Sequence, residues 1–284
     1  MMENKENEYP KFSVLMTVYG EEKAKNLDSA LESIENQSVI PNEIVLVEDG
    51  TLGNELENII KKHRNNFTNN FKIVKLIRNS GRGIASGAGI AFISNNWIAR
   101  VDSDDISKRD RFKLQLKAIL QDPSLTMIGG QIQEFLNDDT CDIVGKRTVP
   151  LKYEEIREYA KYRSPINNPS IMFRKDVLHD IGGYPRLNVM EDYDLCVKFI
   201  SKGFKIINLP EVLVDMRVDQ GLYSRRGGIK YLLQYITMKI QWKKLGVGDT
   251  KSVLLSIIFM TCNTVFPTWL RKIIYRKILH RYNT

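Results

Sequence analysis

Cysteine is scarce: the 284 residues hold three, Cys141, Cys196 and Cys262, far apart and without a CxxC pair. That argues against a zinc site or a disulfide framework and fits a reducing compartment. Residues 1–11 (MMENKENEYPK) carry no apolar run, so no secretory signal is expected and the protein is expected in the cytoplasm, behind a flexible N-terminus. No internal repeat and no low-complexity segment is present. The loop after the first apolar run, Tyr19-Gly20-Glu21-Glu22, lacks the glycine- and Lys/Arg-rich pattern of a sugar-phosphate nucleotidyltransferase. No aromatic stacking pattern or known nucleic-acid module accompanies the basic residues, so no nucleic-acid partner is expected.

What is present is an ordinary globular composition, 43% hydrophobic and 27% charged, enough for one large core with a helical appendage. The net charge of +8 is unevenly placed. From Arg225 to Thr284 twelve Lys/Arg face one acid, Asp249, so the tail is +11 and the body −3. A basic tail on a slightly acidic body points to a local anionic partner.

Apolar runs at Phe12–Val18, Glu43–Val47, Phe71–Ile77 and Trp97–Val101 predict buried strands. Helical spacing predicts helices around Leu27–Ile34, over Leu52–His63 and Ile84–Ile93, and over Leu114–Leu120. Four alternations at roughly 30-residue spacing predict βαβ units on a parallel sheet. The second half reads as a strand at Met127–Phe135, a polar connection at Asp138–Pro150 and a helix at Tyr153–Tyr162. A strand at Ser170–Phe173, a short helix ending at Gly182-Gly183, a helix ending at Gly203 and a strand at Val212–Val214 follow, with helix beyond Gly228.

Three strands end on polar clusters, Tyr19-Gly20-Glu21, Glu48-Asp49-Gly50 and Asp102-Ser103-Asp104, where open α/β sheets bind ligands. Asp102 and Asp104 offer oxygen ligands suited to Mg2+ or Mn2+, which would neutralise a departing diphosphate. A solvated turn capping a helix from Ile106 is the plainer reading of an isolated Asp-rich loop. Glu191-Asp192 opens a predicted helix; helix-dipole capping explains the pair, and so does a general base with a raised pKa beside a second carboxylate.

Taken in order, these pieces resemble glycosyltransferase family 2. The matching runs are Ser13–Tyr19, Val47-Glu48-Asp49-Gly50-Thr51, Arg78-Asn79-Ser80-Gly81, Ala85–Ile90, Ile98–Ser107, Asn168–Arg174, Gly182-Gly183-Tyr184 and Glu191–Leu195, spread over residues 12–217. The resemblance implies the GT-A fold: a Rossmann-like α/β domain at 12–224 with a mostly parallel sheet flanked by helices, followed by a helical extension at 225–284. It implies an inverting, metal-dependent hexosyltransferase using a nucleotide-sugar donor, UDP by family habit. Thr17 and Tyr19 would line the base pocket, and Glu48 or Asp49 would accept the uracil N3–H. Asn79, Arg100 and Asp102 would lie on the donor side, Asp104 would be the main metal ligand with Asp102, Asp192 the catalytic base and Glu191 its neighbour shaping the acceptor site. Gly20, Glu48 and Gly87 depart from the commoner family residues, and Val218-Asp219-Gln220 stands where many relatives have a histidine.

The run Arg217–Gly228 is similar to a subgroup that builds bacterial surface polysaccharides such as O-antigen by adding galactose or glucose to a sugar on polyprenyl diphosphate. Arg217, Arg225 and Arg226 would then meet the lipid diphosphate. Ser252–Leu270 is free of charge over 19 residues and Arg271–Arg281 is basic, which suits interfacial or re-entrant helices, a helical pair on the body, or a span interrupted by Asn263 and Pro267. The expected place is the inner face of the cell membrane, held peripherally through an anionic lipid surface. A nucleotidyltransferase or a non-catalytic nucleotide-sugar-binding protein is the alternative.

Overall fold

The computed structural model describes residues 9–136, 140, 142–218 and 228–265. Four βα units come first: β1 (Phe12–Tyr19), α1 (Ala24–Glu35), β2 (Glu43–Asp49), α2 (Asn54–Asn66), β3 (Asn70–Leu76), α3 (Arg82–Ile90), β4 (Trp97–Asp102) and, after the two-residue strand β5 (Ile106–Ser107), α4 (Arg111–Gln121). Then follow β6 (Leu125–Phe135), β7 (Ile143–Arg147), α5 (Tyr153–Ala160), β8 (Met172–Arg174), α6 (Glu191–Ser201), β9 (Lys205–Arg217), α7 (Ile229–Lys244) and α8 (Thr250–Val265).

One nine-stranded sheet runs β3-β2-β1-β4-β8-β6-β9-β5, with β7 added beside β6. The β3-β2-β1-β4 half is parallel, because each strand is followed by a helix that must cross back over the sheet. Antiparallel β8 joins this half to β6, which pairs parallel with β9.

Strand alternation sends side chains to two cores. Phe12, Val14, Met16 and Val18 pack with Leu27 and Leu31 of α1, Ile60 of α2 and Phe112 and Leu116 of α4. Leu15, Val45 and Val47 pack on the opposite face against Ala85 and Ile90 of α3 and the α5–α6 layer. Each fully buried Leu, Ile or Phe contributes about 1.5–3 kcal/mol, so the helical layers are fixed by these stripes rather than by propensity. The Phe12 and Phe112 rings meet edge to face at 4.9 Å and tie β1 to α4.

The second half corrects several sequence expectations. The polar connection at 138–150 contains β7, whose Ile143 and Val144 are exposed, so its strand pattern is hidden. Strand β9 is far longer than Val212–Val214 because it pairs with β6 along most of its length, around irregularities near Gly129–Ile132. Ile106 does not open a helix; Ile106–Ser107 pairs with Val214 and Asp215, and α4 begins at Arg111. The short helix before Gly182 is a single 3-10 turn, Asp176–Leu178. Helix α7 buries Tyr235, Met238, Lys239 and Trp242, and Met238, Trp242 and Val247 belong to the same core as α6. The packed body therefore extends beyond residue 224.

Candidate active site

The carboxyl ends of β1, β2 and β4 lie side by side, and their register decides which side chains share a face. Leu15 pairs with Arg100 and Thr17 with Asp102; Thr17 also pairs with Val47, and Tyr19 with Asp49. Partners in register project the same way. Thr17, Tyr19, Asp49, Arg100 and Asp102 thus share the face of Leu15 and Val47, the face covered by α3 and α6. Glu48 projects to the other face, 4% exposed, with its Oε2 2.9 Å from Lys75 Nζ. Of the two acids proposed for base recognition, Asp49 lies on the side of Thr17 and Tyr19. Its carboxylate accepts the Ser80 N–H at 2.7 Å and the Gly81 N–H at 2.9 Å, so it also shapes the turn that carries exposed Asn79. Gly50, at φ 92°, lets these loops touch: a Cβ there would stand 2.7 Å from the Asn79 nitrogen.

Beneath the acidic loop lies Arg100, 1% exposed, which donates to Asp102 at 2.7 Å and to Tyr184 Oη at 2.8 Å. Arg111, also buried, donates to the Arg100 carbonyl at 2.6 Å and the Ser107 hydroxyl at 3.0 Å. Arg100 therefore anchors Asp102 from below. Burial opposes ionisation of Asp102, but Arg100 and Arg82 outweigh it and hold its pKa below the usual value. Asp104 behaves oppositely: burial, then the charges of Asp102 and Glu22, push it up to about 6. Asp105 is pushed well above its ordinary value by burial and by Asp104 and Asp102, although it accepts the Arg217 N–H at 2.8 Å. Ser103 Oγ donates to Glu22 at 3.0 Å, which pins the loop to the segment after β1.

Among the described residues no three His, Cys, Asp or Glu side chains converge on a ready-made metal cage. The acidic loop nonetheless fits a hard divalent cation: it crowds carboxylate oxygens, and the mutual repulsion that raises Asp104 is what a cation relieves. Substrate phosphate oxygens and water would complete the ligand set.

The second acidic pair begins α6. Met190 precedes it at φ 61°, the left-handed region, and no side chain caps the helix. This backbone conformation is costly for a residue with a Cβ and persists only where the surroundings impose it. Glu191 is 3% exposed with a buried Oε1 lacking a hydrogen bond; burial and then the Asp192 charge push it up to about 7. Asp192 is less buried than Glu191, which leaves it accessible from the crevice.

Arg82 stands between the two acidic groups, its Nε 4.0 Å from Glu191 Oε1. Its pKa is raised by Asp102 first, and by Glu191 and Asp192. The same guanidinium lowers Asp104. Both acidic pairs thus act on one half-exposed cation. Gly83 makes this possible, because a Cβ there would lie 2.3 Å from the Leu187 carbonyl and 2.6 Å from that of Pro185.

Arg82 and Tyr184 were not singled out as functional from sequence. Arg82 falls between the matched runs Arg78–Gly81 and Ala85–Ile90, and a cation at the start of a helix, against the helix dipole, was the available signal. Arg217 is brought to the site: its Nε donates to the Asp104 carbonyl at 3.1 Å and its guanidinium lies 4.7 Å from the Phe135 ring centre. Arg225 and Arg226 lie outside the described residues.

Comparison with known proteins identifies the family and the fold. The family pattern for glycosyl transferase family 2 matches residues 13–182. An Escherichia coli UDP-Gal:alpha-D-GlcNAc-diphosphoundecaprenol beta-1,3-galactosyltransferase is 32% identical over 274 residues, covering 96% of this chain and 98% of the relative. An amylovoran biosynthesis glycosyltransferase from Erwinia amylovora is 32% identical over 273 residues, covering 94% and 98%. Among solved structures, a Pyrobaculum calidifontis mannosyltransferase in complex with GDP-Man and Mn2+ superposes with TM-score 0.62 at 16% identity, over 88% of this chain and 69% of that one. Staphylococcus aureus TarS (residues 1–349) with UDP-GlcNAc gives 0.60 at 18%, over 95% and 71%. The sheet flanked by helices on both faces is the GT-A fold, and the chain belongs to glycosyltransferase family 2.

Proposed function

We propose that this glycosyltransferase moves a hexose, galactose or glucose, from a UDP-sugar to a glycan on polyprenyl diphosphate, with inversion and with a divalent cation, at the inner face of the membrane. The observation that supports the reading is that the charges of Asp102, Glu191 and Asp192 act on Arg82, which in turn lowers Asp104. The donor side is Thr17, Tyr19 and Asp49 for the base, with Asp49 favoured over Glu48 by its face of the sheet. Asp104 and Asp102 would hold Mn2+ or Mg2+, which when bound withdraws charge from the nucleotide diphosphate.

The chain's own residues do the rest. An acceptor hydroxyl gives its proton to the Asp192 carboxylate while its oxygen bonds to the anomeric carbon and the bond to the diphosphate oxygen breaks. One displacement inverts the anomeric configuration. Glu191, protonated below about pH 7, removes one negative charge from beside the base. Arg82 faces both the leaving group and the base, so it balances charge on each side. Purified protein with UDP-galactose, Mn2+ and a GlcNAc-α-diphosphoryl lipid is expected to form a β-galactoside. An α-product, or diphosphate release from a nucleoside triphosphate and sugar phosphate, would reject the reading.

The membrane part rests on α8, which is polar inside and apolar outside. Ser252 and Ser256 are buried, whereas Leu254, Leu255, Ile258 and Phe259 are 44–57% exposed along one stripe. Exposed Lys243, Lys244 and Lys251 flank the stripe. No helix among the described residues is long and apolar enough to cross a membrane. Such a stripe beside lysines suits the surface of an anionic bilayer, where each basic residue adds about 1 kcal/mol. Leu255→Glu with Phe259→Glu is expected to abolish flotation with phosphatidylglycerol vesicles and leave the thermal midpoint unchanged. Undiminished flotation would remove α8 from the contact.

A further inference from the structure

Helix α6 opens without a side-chain cap. It starts from a left-handed Met190 and places Glu191, Asp192 and Asp194 together, one of them a buried acid with an orphaned oxygen. Within α6, Lys198 pairs with Asp194 at 3.1 Å, and further contacts come from α7. Trp242, 1% exposed and the largest fully buried side chain among the described residues, donates its Nε1–H to Asp194 Oδ1 at 2.8 Å and packs on the Tyr193 ring, tilted at 46° with ring centres 4.1 Å apart. Lys239, 2% exposed, donates to Tyr193 Oη at 2.9 Å and to the Lys161 carbonyl at 2.8 Å; Tyr193 in turn donates to the Ala160 carbonyl. Among the described residues no carboxylate pairs with this ammonium. The faces of Tyr193, Tyr235 and Trp242, with ring centres 5.0–5.6 Å from it, supply the balancing negative potential.

These contacts fall on the two residues that follow Glu191–Asp192. The Asp194 N–H also donates to the Met190 carbonyl at 2.9 Å, closing the turn on which both acids stand. Fixing Tyr193 and Asp194 fixes the direction in which Asp192 leaves the helix. A buried lysine without an acid partner costs stability, and so does a left-handed methionine. Both occur at one turn, where misplacing a base by about 1 Å can cost roughly a hundredfold in rate.

We propose that Trp242 and Lys239 are positioning residues for the transferase reaction: α7 clamps Tyr193 and Asp194 so that the Glu191–Asp192 turn points into the crevice. The inference rests on the proposed role of Asp192. It makes the helix that leads to the exposed α8 stripe part of the active site's construction, in the same way that outer supports fix catalytic groups elsewhere.

The test compares Trp242→Phe, which keeps an aromatic ring and loses the N–H, with Lys239→Met. The probes are UDP-galactose with Mn2+ and a GlcNAc-α-diphosphoryl lipid, with UDP affinity by calorimetry and amide exchange across residues 190–195. Trp242→Phe and Lys239→Met are expected to lower kcat about tenfold, leave UDP affinity within twofold, and speed exchange at 190–195 while the β1–β4 amides stay protected. Unchanged kcat and unchanged exchange in a folded Trp242→Phe would overturn the proposal, as would equal losses of kcat and UDP affinity. If the wild type transfers no sugar, the functional reading fails, and exchange at 190–195 still reads the clamp.

Discussion

Asp192→Asn is expected to cut transfer about a thousandfold while UDP and Mn2+ binding stay within twofold of wild type. Asparagine keeps the shape and cannot take the acceptor proton, and general-base catalysis contributes roughly 10²–10⁴-fold. Glu191→Gln is expected to act differently. Glu191 is 3% exposed and its pKa is pushed up to about 7, so near neutrality about half of it is protonated, and glutamine mimics that form. About tenfold loss of kcat is expected, with removal of the pH 7 transition from the rate profile.

Stability separates the two acids further. Folded Glu191 holds its proton up to about pH 7, against 4.5 for the ordinary group. Its contribution to stability is therefore complete below pH 4.5 and drains away as pH rises through 7. At about 1.4 kcal/mol per unit the loss is on the order of 3 kcal/mol. Glu191→Gln removes this slope, so the variant is expected to melt above wild type at pH 8 and close to it at pH 5, by calorimetry. Retained transfer in Asp192→Asn, with collapse in Glu191→Gln, would exchange the two roles.

How much of this was legible follows from where each signal resides. Strands β1, β2 and β4 are buried on both faces, so their apolar runs stand out, and the acidic clusters at their ends mark the ligand side. Strand β7 carries its apolar residues outward at a sheet edge and leaves no such trace. Strand β5 exists only because Ile106–Ser107 meets a strand more than a hundred residues later. The choice between Glu48 and Asp49 depends on parity, which needs the register of two strands. Arg100 was expected beside the donor; the structure turns its guanidinium to Asp102 and Tyr184, a direction no motif encodes. Arg82 was missed because its value comes from Gly83 meeting Pro185 and Leu187, a contact between segments about a hundred residues apart. The α7 clamp was hidden for a similar reason: Lys239 and Trp242 read as part of a basic tail until their partners on α6 are seen.

Asp104→Asn is expected to reduce transfer about a thousandfold by a different route, one visible without any acceptor. In the metal-free protein Asp104 is lifted to about 6 by burial and by the charges of Asp102 and Glu22. Folded Asp104 thus holds its proton beyond its ordinary 3.8, and the stability this brings is lost as pH climbs through 6. A divalent cation inverts the relation, because it binds the deprotonated carboxylates and competes with the proton. Wild type is therefore expected to gain a Mn2+-dependent rise in thermal midpoint that grows from pH 5 to pH 8 in the presence of UDP. Asp104→Asn should melt higher than wild type at pH 8 without metal, because one repelling charge is gone, and should lose most of the Mn2+-dependent rise. Asp102→Asn should behave otherwise, since Asp102 is matched by Arg100 at 2.7 Å and its loss leaves a buried guanidinium without its acid. That variant is expected to melt lower with or without metal. If instead both variants lost stability alike without metal and kept the Mn2+ response, the acidic loop would be a structural ion network, and the cation, if any, would have to bind elsewhere.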